Sequence, residues 1–192
     1  MLDDHIEKVL ISEDEIAAKV IALGEEISGD YADKDLVIVN VLRGGVIFVS
    51  DLIRKMSIPV TVDFMAISSY GPSTESSGVV RVVKDLEENI HDRHVLVVED
   101  IIDTGLTLGY LLKNLSSREP ASLSVCVLLD KSARRILDNL PIKYKGFDVP
   151  DAFVVGYGLD YRQKYRNLPY IGILKKAIYD FDLKERLPQA GL

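Results

Sequence analysis

The sequence predicts an α/β protein: a mostly parallel, twisted sheet flanked by helices. Three observations point there. Apolar runs at Leu36 to Leu42, Val95 to Val98 and Leu123 to Leu129 read as strands buried on both faces, the pattern of parallel sheets. Segments with helical spacing separate them, as crossover connections require. Charged and glycine residues then sit directly past the run ends, at Arg43-Gly44, Glu99-Asp100 and Lys131. In open parallel sheets that edge is where ligands collect.

Taken in order, Ser12 followed by Glu15 forms a capping-box pair, and Ile16, Val20, Ile21 and Leu23 continue as a helix. The strand from Leu36 runs into Arg43-Gly44-Gly45. Val46, Ile47, Val49, Leu52 and Ile53 form a second helix, closed near Ser57-Ile58-Pro59. Val60 to Ile67 alternates as a strand. Ser68 to Gly78, rich in Ser, Gly and Pro, reads as a long loop of the kind that serves as a lid. Val79 to Val83 resumes as a strand, paired with Val60 to Ile67 as a hairpin arm. After the strand at Val95 comes a helix over Leu108 to Leu115, then the Leu123 strand ending in Asp130-Lys131. A last strand is expected at Phe153 to Tyr157. No repeat or linker divides the chain, so one domain is expected over residues 1–180, with 181–192 as a tail.

Length and composition fit that domain. A chain of 192 residues, 47% of them hydrophobic, can bury a full core. A net charge of −7 argues against a protein whose main work is gripping nucleic acid. The lone cysteine, Cys126, lies in an apolar run and reads as a core thiol, which suits a reducing compartment. With no secretion-like start and no apolar stretch near the roughly 20 residues that cross a bilayer, a cytoplasmic protein is expected, with no membrane partner. His5, His91 and His94 have no metal-like spacing and read as surface or loop residues.

The chemistry concentrates in Val95 to Thr107. Glu99 and Asp100 follow four apolar residues, where burial is costly unless the strand has just left the core. Asp103-Thr104-Gly105-Leu106-Thr107 then suits a tight turn whose amides face outward at a helix N-terminus, a ready anion site. Acids beside a phosphate cradle fit a ligand carrying a diol, a phosphate and a divalent cation. A phosphorylated ribose is such a ligand.

Val95 to Thr107 resembles the signature of the type I phosphoribosyltransferases, which bind 5-phosphoribosyl-1-diphosphate. More narrowly, Leu42-Arg43-Gly44-Gly45, Ser69-Tyr70, Leu128-Leu129-Asp130-Lys131 and Pro150 to Tyr157 resemble the hypoxanthine (hypoxanthine-guanine) branch. The similarity runs from about the first helix to Gly172. It implies the family's core, with a small hood built from the N- and C-terminal segments and a flexible lid loop. The implied reaction is magnesium-dependent transfer of phosphoribose to N9 of hypoxanthine, and also guanine. Free 6-oxopurine bases and 5-phosphoribosyl-1-diphosphate are the implied substrates, and a homodimer or homotetramer the implied assembly.

Residue by residue, the resemblance makes Asp103 the carboxylate at purine N7, a general base in nucleotide synthesis; a turn aspartate there would otherwise cap the next helix. Thr104, Gly105, Leu106 and Thr107 supply amides and hydroxyls to the 5′-phosphate. Leu106 stands where many relatives carry lysine or a polar residue, so only its backbone amide is on offer. Glu99 and Asp100 meet the ribose hydroxyls, directly or through Mg2+ and its waters. Asp160 serves a second magnesium, or the purine C2 edge through its backbone. Lys131 donates to the purine 6-oxo group, Phe153 stacks on the base and the backbone of Val154 reads its edge. Arg43, Gly44 and Arg166 hold diphosphate, and Ser69-Tyr70 closes over the site. In this family the peptide at the position of Leu42–Arg43 can be cis. The C2 substituent that separates hypoxanthine, guanine and xanthine leaves no trace in the sequence. Two other readings use the same residues. A metabolite-sensing regulator that binds nucleic acid would need a basic stripe, and a receiver domain would need its acidic pair after the first strand. Neither feature is present.

Overall fold

The computed structural model describes residues 2–69, 80–137 and 139–180. The described chain runs through β1 (Ile6–Ile11), α1 (Glu13–Asp30), β2 (Leu36–Leu42), α2 (Val46–Ile53), β3 (Thr61–Ser69), β4 (Val80–Lys84), β5 (His94–Ile102), α3 (Leu106–Ser116), β6 (Ser122–Asp130), β7 (Ile142–Asp148), β8 (Val154–Val155) and β9 (Ile171–Leu174), with residues 176–180 also helical. Six strands form one sheet in the order β4-β3-β2-β5-β6-β7. β3, β2, β5, β6 and β7 run parallel, and β4 lies antiparallel on the β3 edge, as the hairpin reading requires.

The apolar runs explain the layering. Successive side chains of a strand point to opposite faces. Ile38, Leu96, Val98, Cys126 and Leu128 therefore meet α1 and α2 on one face of the sheet. Val37, Val39, Val95, Val97, Val125 and Val127 meet Leu108, Leu111, Leu112 and Leu115 of α3 on the other. Both faces are dry, which is why these strands carry no polar alternation. Cys126 is buried and free, and burial raises its thiol pKa far above the usual value.

The capping box forms as expected: Glu15 N–H donates to Ser12 Oγ at 3.3 Å and Ser12 N–H to Glu15 Oε2 at 2.8 Å. Ile16, Val20 and Leu23 are buried beneath it, whereas Ile21 lies on the outer face and is exposed. Several boundaries differ from expectation. Ser68 and Ser69 extend β3 instead of opening the loop, and Tyr70 to Val79 lie outside the described residues, as does the 181–192 segment. His94 is neither a loop nor a fully exposed residue: it opens β5, half-buried, with Nδ1 2.7 Å from Ser122 Oγ on the neighbouring β6. The Phe153 to Tyr157 strand shrinks to Val154–Val155.

A second, three-stranded sheet has the order β1-β9-β8, all antiparallel. It joins segments from near the two ends of the described chain. Neither β1 nor β9 follows from the sequence pattern, and β7 closes the large sheet without an apolar run of its own. No described helix is long and apolar enough to cross a membrane.

Candidate active site

The C-terminal ends of β2 and β5 open on a cavity of about 290 Å³. Arg43 and Gly44 line one wall, and the segment Glu99 to Gly105, with Thr107, lines the other. The sequence thus points to the right neighbourhood, though not to the path of the strand. β5 does not end at Val98 but runs to Ile102, keeping Glu99 buried and Asp100 half-buried on the cavity wall.

These two acids carry the strongest electrostatic signal in the site. Burial, reinforced by the adjacent Asp100 charge, holds the Glu99 carboxyl well above the ordinary range. Burial also raises Asp100 to about 6. The Ile101 and Asp100 backbone N–H groups and the Arg166 charge oppose that rise, and the Asp160 charge supports it. Two carboxyl groups lining one cavity, each costly to ionise without a cation nearby, are a donor set that a hard divalent cation would complement. Asp160 does not join them: it pairs with Arg166 Nη2 at 2.7 Å and accepts from Gln163 N–H at 2.8 Å. No cluster of three metal-ligating residues occurs among the described residues.

The raised Asp100 makes stability depend on pH. A carboxyl whose folded pKa lies above its unfolded value favours the fold most below the unfolded pKa, and that contribution is lost as pH rises through about 6. Replacing Asp100 by Asn is therefore expected to stabilise the ligand-free protein at pH 8 by roughly 2 kcal/mol, discounted for partial exposure. The gain should shrink toward zero at about pH 4. Urea unfolding of both proteins at the two pH values checks this; a pH-independent difference would refute it.

Between β5 and α3 the chain turns through Gly105, whose φ of +82° is left-handed and favours glycine. Gly105 is the N-cap of α3 and no side chain caps the helix. Asp103 is accordingly no capping residue. Its Oδ1 is buried without a hydrogen bond, although Arg134 Nε lies 3.1 Å away at ion-pair distance, off the line a hydrogen bond needs. The Leu106 N–H reaches Thr104 Oγ1 only at 3.4 Å, a weak contact that an anion's oxygen would better.

Opposite, the Leu42–Arg43 peptide is cis. Gly44 packs so closely on Asp100 that a Cβ there would overlap the Asp100 Oδ2. A Cβ on Gly158 would in turn overlap the Gly44 carbonyl. Gln163, which carries no sequence signal, gathers the two arginines: its Oε1 accepts from Arg43 Nη1 at 3.2 Å and from Arg166 Nη2 at 3.0 Å. Arg166 is further fixed by Nη1 donating to the Gly158 carbonyl at 2.6 Å. Asn40 is equally silent in the sequence; buried in β2, it donates Nδ2 to the Val98 carbonyl at 2.8 Å and braces β2 against β5 below the cavity.

The expected base-binding residues approach from β6 and the small sheet. Lys131 follows β6, and its N–H donates to the Ile102 carbonyl at 2.9 Å, which sets it beside the end of β5. Its side chain is buried, with Asp151 Oδ1 4.0 Å from Nζ. Val154 is buried in β8. Phe153 is exposed, but one ring face stacks on Tyr179 at 5.1 Å between centroids and 23° between planes. Tyr161 meets it edge-on at 5.5 Å. A flat ligand would therefore take the remaining face or displace Tyr179. Of the expected lid pair, Ser69 is the last residue of β3 and Tyr70 lies outside the described residues.

The phosphoribosyl transferase domain family matches residues 11–162. Hypoxanthine-guanine phosphoribosyltransferase from Mycobacterium tuberculosis is 51% identical over 180 residues, covering 91% of this chain and 89% of that protein. The enzyme of the same name from Bacillus subtilis is 49% identical, covering 94% and 99%. In three dimensions, a crystal structure of a hypoxanthine phosphoribosyltransferase from Staphylococcus aureus superimposes with a TM-score of 0.90 at 46% identity, covering 93% of this chain and 96% of that one. The sheet order, the cavity at the strand ends and these matches together place the chain in the phosphoribosyl transferase family.

Proposed function

We propose that this protein transfers the 5-phosphoribosyl group of 5-phosphoribosyl-1-diphosphate to N9 of hypoxanthine, and of guanine, giving IMP or GMP and diphosphate in purine salvage. The observation that carries the reading is the cavity that Arg43 and Gly44 share with Glu99 to Gly105 and Thr107. Diphosphate lies against Arg43, the Gly44 backbone and Arg166, with Gln163 holding the two guanidinium groups in register. The 5′-phosphate takes the amides and hydroxyls of Thr104, Gly105, Leu106 and Thr107 at the start of α3. Glu99 and Asp100 face the ribose hydroxyls.

Glu99 and Asp100 would hold Mg2+, which would screen the diphosphate charge; Asp160 would serve a second ion only on leaving Arg166 and Gln163. Asp103 accepts the proton that the purine loses at N7 and returns it in the reverse direction. Lys131 donates to the 6-oxo oxygen, Phe153 stacks on the base and the Val154 backbone meets its edge. Residues 1–180 work as one domain in the cytoplasm, as a homodimer or homotetramer.

Lys131 also predicts discrimination. Adenine presents an amino donor where hypoxanthine presents an acceptor, leaving two donors face to face. Such a mismatch costs about 1–3 kcal/mol, and more when a buried charge is involved. Steady-state turnover with hypoxanthine, guanine, xanthine and adenine, with and without Mg2+, tests the proposal. Hypoxanthine and guanine should react only with the metal present, and adenine should give negligible product. Equal rates with adenine would remove Lys131 from the role.

A further inference from the structure

Asp103 and Lys131 stand at the ends of adjacent parallel strands, paired in register up to Ile102 and Asp130. The backbone thus fixes their Cα positions but not their charged tips. Two residues outside the proposed base site connect those tips. Arg134, in the turn Ser132–Arg134 after β6, places Nε 3.1 Å from Asp103 Oδ1 and Nη1 3.4 Å from Asp151 Oδ1. The same Asp151 oxygen lies 4.0 Å from Lys131 Nζ. Charges alternate along the line: carboxylate, guanidinium, carboxylate, ammonium.

We propose that Arg134 and Asp151 are positioning residues for base recognition, a charged bridge that sets the distance between the N7 carboxylate and the 6-oxo donor. The proposal rests on the roles given to Asp103 and Lys131 under the proposed function. Asp103 makes no cap and its Oδ1 has no hydrogen bond, so the Arg134 ion pair is what orients its carboxylate among the described residues. With one oxygen committed to Arg134, the other is left for purine N7. Lys131 has a four-carbon stem whose tip would otherwise sample several rotamers. Asp151 draws that tip toward the same side as Asp103. The purine presents O6 and N7 on one edge at a fixed separation, and only a matched pair of tips engages both. A guanidinium fork can span two carboxylates, whereas a lysine ammonium is a point charge.

Arg134 and Asp151 are about half exposed, at 47% and 58% of their side chains, so the bridge adds little to folding stability. Its effect belongs to kinetics. Arg134→Gln, Arg134→Lys, Asp151→Asn and the double variant Arg134→Gln/Asp151→Asn would be assayed beside the wild type, with melting temperatures confirming the fold. Each single change is expected to raise KM for hypoxanthine about tenfold and to lower kcat, leaving KM for 5-phosphoribosyl-1-diphosphate unchanged. Lysine at 134 should fail to rescue, and the double variant should be no worse than the worse single one. Wild-type KM for the base in Arg134→Gln, equal rises in both KM values, or additive losses in the double variant would each overturn the bridge. A wild type unable to use any 6-oxopurine would instead sink the parent reading, and the bridge with it.

Discussion

Asp103→Asn is expected to lower kcat for IMP formation by about 10²–10⁴-fold, the contribution typical of a placed general base. The amide keeps the size of the carboxylate and can still meet a hydrogen-bonding edge, so IMP should bind nearly as before. What it lacks is a site for the departing proton. Asp103 suits that role because it sits just past the end of β5, lines the cavity and caps no helix, so its replacement leaves α3 intact. Single-turnover kinetics and calorimetric IMP binding measured on the same preparation separate chemistry from affinity. A kcat within about tenfold of the wild type would end the general-base role.

The second large effect is steric. In Gly44→Ala the new methyl group would land on Asp100 Oδ2. Neither partner can step aside easily. Asp100 Oδ1 already accepts from the Ile101 N–H at 2.9 Å, and the Gly44 carbonyl is packed against Gly158, where even a methyl group does not fit. The acid must then swing away from the position that faces the substrate. A displacement of about 1 Å in such a group can cost on the order of 10²-fold, and that loss is expected in kcat/KM for 5-phosphoribosyl-1-diphosphate. Gly29→Ala provides the control. At that helical position a Cβ meets nothing within 4 Å, and stability should rise by up to about 1 kcal/mol with kinetics unchanged. A Gly44→Ala enzyme with wild-type kinetics would show that the tight approach has no part in substrate binding.

The central strands are legible in the sequence because burial on both faces leaves an uninterrupted apolar run, and α1 because its capping box is a local pattern. The acids and the Asp-Thr-Gly turn are legible because their composition is out of place in a core. Other parts carry no such mark. Ile142–Asp148, with two lysines and a glycine, alternates too weakly to announce β7, and it is made a strand by docking on β6. β1 and β9 are short segments whose hydrogen-bonding partners lie far apart along the chain, which no local pattern encodes. The same holds for Gln163, Asn40, Arg134 and Asp151. Each reads as an ordinary surface or strand residue, and its place depends on which strand ends the topology brings together. Glu99 misleads in the opposite sense, since a carboxylate suggests a strand already in solvent whereas the chain keeps it in the interior.

The pairing of Ile6–Ile11 with Ile171–Leu174 bears on how the molecule is made. A ribosome delivers β1 before any strand of the large sheet and β9 after all of them. Until β9 emerges, β1 waits without that partner, while the large sheet can already collapse around β2, β5 and β6. The small sheet thus closes after the large one, and until it does the bare edge of β1 is a template that another chain could pair with.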